Sequence, residues 1–168
     1  MKTKDIVVGG LLTGLSIMIP LVLAGTPLMV YIPPFFTATI TAHVPVLLAM
    51  AISPAVAVMV AVGSAIGFTF KVNAVVGARA LTHLVFALVG SYSYRKGMPY
   101  KKILLLTAPI HGLFEMLVVL PFGWDLKKAF LACGVGTIGH HLVDAVIAFI
   151  VYEALSKASI IKRPSSSV

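Results

Sequence analysis

Apolar runs long enough to cross a bilayer follow one another along almost the whole chain, and this constrains its fold more than any other feature. They cover residues 5–24, 37–52, 54–70, 73–94, 103–120 and 128–156. A spanning helix needs about 20 mostly apolar residues. Six such helices use most of the 168 residues and leave only short loops. The chain is 60% hydrophobic and 11% charged, against roughly 25% charged in a soluble domain. The pattern predicts an all-α integral membrane protein, a single membrane domain over 1–168 with six transmembrane helices. The first run lacks a small-x-small cleavage site, so it reads as a retained helix. The second is short and contains His43 and Pro45, which leaves a tilted or re-entrant path open to it. The tail 157–168 reads as disordered.

The net charge is +8. In a soluble protein that would suggest nucleic acid. Here the basic residues sit between apolar runs, where they act as topology signals and contacts to anionic lipid. With the N-terminus in the cytoplasm, Lys2, Lys4, Arg95, Lys96, Lys101, Lys102, Lys157, Lys162 and Arg163 fall inside. Lys71, Lys127 and Lys128 fall outside. This asymmetry predicts both termini in the cytoplasm. The single cysteine, Cys133, excludes an internal disulfide and a cysteine metal cluster.

Polar groups at membrane depth are costly, so each is a functional candidate. They concentrate in the second half of the chain. Arg79 and His83 are four apart on one helix face, as are His111 and Glu115. Farther on, Asp144 can reach back to His140 or His141. Asn73 and Thr82 add hydrogen-bonding capacity, and His43 stands alone. Any of these pairs could instead be structural, pinning helix to helix. Arg79 keeps its charge, with Glu115 as the acidic partner at similar depth. A guanidinium near the outer leaflet also suits a carboxylate or phosphate, and the expectation here gives Arg79 mainly to an anionic ligand. No metal or other cofactor is expected. Adjacent His140 and His141 point about 100° apart on a helix and face one ion poorly. No phosphate-binding glycine loop and no nucleophile beside a histidine is visible, so the chain does not read as an enzyme.

The first helix carries Gly10-x-x-x-Gly14, and the third carries Gly63, Ser64 and Gly67. Small residues four apart let another helix approach closely. The first half thus suits a protein partner, and the second half a ligand. This division, the GTPLMVYIPPFF loop and the run TAHVPVLLAMAISPAVAVMVAVGSAIGF resemble the substrate-binding S component of energy-coupling factor (ECF) vitamin transporters. The stretch HVPVLLAMAISP is similar to the niacin and the pyridoxine or hydroxymethylpyrimidine types.

The resemblance implies a non-catalytic subunit of the bacterial plasma membrane. Such a subunit binds a small water-soluble vitamin from outside, then joins a transmembrane coupling subunit and two ATPase subunits. The docking motif would map to Gly10 and Gly14, glycines where alanines are typical. The site would lie among the fourth to sixth helices, at Arg79, His83, His111, Glu115 and His140 with Asn73. Tyr31, Pro33 and Phe35 of the first loop would close it. An aromatic heterocycle fits best; pantothenate, also a carboxylate, is the competing substrate. A stand-alone channel or secondary transporter would carry inverted repeats or helices broken in both halves, and neither is visible.

Overall fold

The structure is a computed structural model describing residues 2–32 and 36–163. Among the described residues, five helices are long and apolar enough to cross a membrane: Thr3–Leu23, Pro54–Lys71, Ala74–Arg95, Tyr100–Phe122 and Leu126–Lys157. The chain is an all-α membrane protein with one small hairpin. Its elements are α1 (Thr3–Leu23), strands β1 (Met29–Ile32) and β2 (Phe36–Thr39), then α2 (Val44–Met50) and α3 (Pro54–Lys71). There follow α4 (Ala74–Leu81), α5 (His83–Arg95) and α6 (Tyr100–Val119). The last span is built from α7 (Leu126–Lys128), a π-helical stretch Ala129–Gly136 and α8 (Thr137–Lys157).

The helix starts follow local chemistry. The Ser53 side chain accepts from the Val56 amide ahead of Pro54. Asn73 does the same for Val76 at 2.9 Å. Asp125 accepts from the Lys128 amide at 2.9 Å, and that bond lowers its pKa. Each cap satisfies an amide that the first helical turn leaves without a partner.

The helix expected over 37–52 is where the structure departs most from the sequence reading. Residues Phe36–Thr39 are strand β2, paired antiparallel with β1 so that Met29 faces Thr39 and Tyr31 faces Thr37. Helix appears only at Val44–Met50, with Pro45 in its first turn. Seven residues rise roughly 10 Å, far short of a bilayer core of about 30 Å. Thr37-Ala38-Thr39 alternates β-branched residues with a small one, which favours a strand. Non-helical backbone at membrane depth is tolerated where protein buries it, and every residue of α2 is buried.

The other expected helices are found with shifted ends. Residues 73–94 are tightened at Thr82 between α4 and α5, where Thr82 Oγ1 donates to the Arg79 carbonyl at 2.6 Å. The tail expected to be disordered from 157 folds back as far as Arg163. Ile161 is buried, and Tyr94 Oη donates to the Lys162 carbonyl at 2.7 Å. Ile161 gives this segment something to bury, whereas Ile160 stays exposed. Residues 164–168 lie outside the described residues.

The helices α1 and α3 run parallel in close contact. A Cβ at Gly9 would meet Val56; one at Gly63 would meet Thr13 and Ser16; one at Gly67 would meet Ile17 and Pro20. Ser16 Oγ donates to the Val60 carbonyl across the same seam at 3.1 Å. Gly10 and Gly14, by contrast, face open space. Lys4 Nζ donates to the Ser159 carbonyl at 2.8 Å, so the two ends of the described chain lie at the same end of the bundle.

Candidate functional site

Glu115 on α6 is the hub of a buried polar network. Its Oε2 accepts from Arg79 Nε at 2.9 Å and from Arg79 Nη2 at 2.7 Å. Thr137 Oγ1 at the start of α8 donates to the same oxygen at 2.6 Å. The other oxygen, Oε1, lies 3.2 Å from His111 Nε2. Arg79 Nη1 donates to Thr37 Oγ1 on β2 at 3.2 Å. Arg79 and Glu115 are 6% and 4% exposed, so a water shell does not compensate either charge. The expectation that Arg79 is kept mainly for a ligand is therefore modified. The α4–α6 contact brings a carboxylate to it, which would otherwise be a buried, unpaired charge.

A second carboxylate organises the irregular backbone. Asp144 on α8 accepts from the Thr41 amide (2.8 Å, Oδ1) and the His43 amide (2.9 Å, Oδ2). Thr41 has φ of +66°, a left-handed conformation that costs a β-branched residue energy and needs support of this kind. His43 Nδ1 comes within 3.0 Å of Asp144 Oδ2. It forms no hydrogen bond there, and His43 Nδ1 has no hydrogen-bond partner among the described residues. Asp144 also reaches His140 at 3.4 Å. His141 turns the other way, with Nδ1 at 3.1 Å from His111 Nδ1 and Nε2 at 3.2 Å from the Leu104 carbonyl.

Three imidazoles thus crowd around His43. Its ring centroid lies 5.0 Å from His83, 4.6 Å from His111 and 4.4 Å from His140, all edge to face. The sequence reading set His43 aside as a lone residue. It is central because its segment is not a spanning helix, and the turn after β2 carries it inward. Gly112 permits α6 to approach the last span beside His111: a Cβ there would stand 2.6 Å from the Gly134 carbonyl oxygen in the π-helical stretch and 2.7 Å from Ile138 of α8. The π-helical stretch that follows Lys128 ends at Gly136, one residue before Thr137.

Two cavities meet at Arg79. Outside it lies a mouth of about 870 Å³ whose lining includes Tyr31, Thr37, Lys71, Asn73, Arg79 and Trp124. Beneath it lies a chamber of about 30 Å³ lined by His43, His83, Arg79, Glu115 and His140 among others. The structure therefore brings Arg79, His83, His111, Glu115 and His140 together. Asn73 and Tyr31 sit at the mouth instead, and Asn73 is also a helix cap. Pro33 and Phe35 lie outside the described residues. Trp124 was not singled out in the sequence, although a lone tryptophan beside the Gly123 turn was a readable signal.

No family model matches the chain, and no solved structure matches it. A curated relative is the niacin transporter NiaX of Lactococcus lactis subsp. cremoris (strain MG1363). It is 30% identical, over 94% of this chain and 77% of that protein.

The network makes a stability prediction. Arg79→Ala leaves the Glu115 carboxylate buried without its cation and should destabilise the fold by about 3–5 kcal/mol. Adding Glu115→Ala should recover much of that loss. Thermal unfolding in detergent measures both. A single variant as stable as wild type would show that the guanidinium does not compensate this charge.

Proposed function

The chain belongs to the family of the niacin transporter NiaX, and on that premise we propose that it is the substrate-binding S component of an ECF transporter that takes up niacin. It is a multi-pass protein of the bacterial plasma membrane. The observation that carries the reading is the position of Arg79 at the meeting of the outer mouth and the inner chamber. A guanidinium has five N–H donors. Bonds to Glu115 and Thr37 use three, leaving one hydrogen on each terminal nitrogen. Such a pair suits a bidentate carboxylate. Pairing with Glu115 and binding an acid substrate are thus compatible roles. Tyr31 and Trp124 line the same mouth and offer aromatic surface to a pyridine ring. Lys71 adds positive charge there, which draws in an anion.

In this reading the chain crosses the membrane six times with both termini in the cytoplasm. The parallel run of α1 and α3 supports a return crossing between them, through β2 and α2. The shared location of the two chain ends supports an even number of crossings. The chain itself does no ATP chemistry. A coupling subunit docks on the open face of α1 at Gly10 and Gly14, and two ATPase subunits drive release of the vitamin inside.

Three predictions follow this reading. Nicotinate should bind more tightly than nicotinamide by about 2–4 kcal/mol, the loss expected for a charge left unpaired. Trp124 is the single tryptophan, so its fluorescence should report the titration. A protein that prefers nicotinamide, pyridoxine or pantothenate would overturn the niacin assignment. Gly10→Leu with Gly14→Leu should leave nicotinate binding intact but abolish co-purification with the coupling subunit and uptake. Normal uptake by that variant would place docking elsewhere. A cysteine replacing Lys127 should react with an impermeant thiol reagent on intact cells, and one replacing Lys157 should not. External reactivity at 157 would reverse the orientation.

A further inference from the structure

The chamber beneath Arg79 is lined by His43, His83 and Glu115, with His111 behind them against Glu115, and recognition of an acid leaves these groups unexplained. His43, His83, His111 and Glu115 are all buried, and one ligand atom from each lies within 4.8 Å of the others. We propose that these four side chains bind one divalent transition-metal ion, zinc in character.

The donor set decides the class of ion. Three imidazoles and one carboxylate suit zinc and cobalt, whereas magnesium and calcium prefer oxygen ligands alone. Histidines that bind metal hold their second nitrogen on an outer partner. His43 Nδ1 lies 3.0 Å from Asp144 Oδ2 but makes no hydrogen bond in this structure, so a small ring rotation would be needed to use that outer partner. His111 has Nδ1 against His141 at 3.1 Å, and His141 is in turn anchored on the Leu104 carbonyl. His83 Nδ1 is buried with no hydrogen-bond partner among the described residues, although its ring lines the chamber. Glu115 divides its oxygens: Oε2 serves Arg79 and Thr137, while Oε1 faces His111.

Size and charge agree with this assignment. The chamber of about 30 Å³ is on the scale of a single water molecule. Zinc–ligand distances of about 2.0–2.2 Å require ligand atoms roughly 3.3–3.5 Å apart in a tetrahedron, so small ring rotations must draw the widest pair inward. Among the joined groups, Arg79 contributes one permanent positive charge, and Glu115 and Asp144 two negative ones. A negative cluster at membrane depth is costly, and a divalent cation reverses its sign. A second grouping, His43, His140 and Asp144, is the poorer candidate, because both Asp144 oxygens already accept backbone amides. The site differs from the His140-His141-Asp144 grouping weighed in the sequence, and it needs no assumption about the transported molecule.

The test uses the full-length, tag-free protein in detergent, stripped with a chelator and dialysed against zinc, cobalt or magnesium without any vitamin. Elemental analysis should find stoichiometric zinc and cobalt and no magnesium above background. The cobalt form should show the visible bands of tetrahedral coordination. His83→Ala and His83→Gln should each weaken zinc binding by more than the about 10–100-fold expected for losing an outer partner. Asp125→Asn, an exposed control, should change nothing. A folded wild-type protein that holds no more zinc than the His83 variants would overturn the proposal. If neither variant folds, the wild-type cobalt spectrum decides alone, and a spectrum of aqueous cobalt rejects the site.

Discussion

The ion pair of Arg79 with Glu115 is the interaction on which the polar half of the molecule depends. It ties α4 to α6, and through Thr137 and Thr37 it adds α8 and β2. A buried pair of this kind is poor evidence for net stability, since desolvating both charges offsets most of their attraction. Its value is specificity. A small slide of α4 against α6 would break two short hydrogen bonds at once and leave two charges in an apolar medium. Packing alone cannot fix such a register, because lipid tails and leucine side chains are equally apolar.

The same logic explains why the chain tolerates a hairpin and a seven-residue helix within a membrane protein. Backbone amides outside regular structure need partners, and lipid offers none. Asp144 supplies two of them, at Thr41 and His43. His43 and His140 lie against the same carboxylate. The irregular segment then delivers His43 to the centre of the imidazole cluster and Thr37 to Arg79. The break in regular structure and the candidate site are therefore one feature, and removing the break would dismantle the site.

Much of this was legible in the sequence. The five long spans follow from apolar length, and two of their starts from Ser53-Pro54 and Asn73, whereas the Asp125 cap was not foreseen. The i,i+4 spacing of His111 and Glu115 placed them on one face, and they do touch. What was not legible was long-range. Thr37 lies 42 residues from Arg79, and Thr41 lies 103 from Asp144. Hydropathy treats residues 37–52 as a continuous apolar run because it counts side-chain transfer and ignores backbone pairing. The alternation Thr37-Ala38-Thr39 favours a strand locally, but nothing within the segment identifies β1, the partner that completes it. His43 was misjudged for the same reason, since its neighbours come from α5, α6 and α8.

The two glycine-bearing faces of α1 show how one helix serves inside and outside. Gly9, Thr13, Ser16 and Pro20 are spaced four, three and four apart, and all four meet α3. This spacing draws one stripe down a helix. Gly10 and Gly14 form the neighbouring stripe, turned by one residue, with nothing against them. Glycine within a helix is entropically unfavourable, and the inner stripe offsets this through close contact with α3. The outer stripe has no such return within the chain. A flat, glycine-lined strip open to lipid lets a second helix come near enough for backbone contact, which a leucine-covered surface would prevent. A strip of that kind would suit the docking and release proposed for this chain, because it permits close approach and is free of the charged contacts that hold the polar half together.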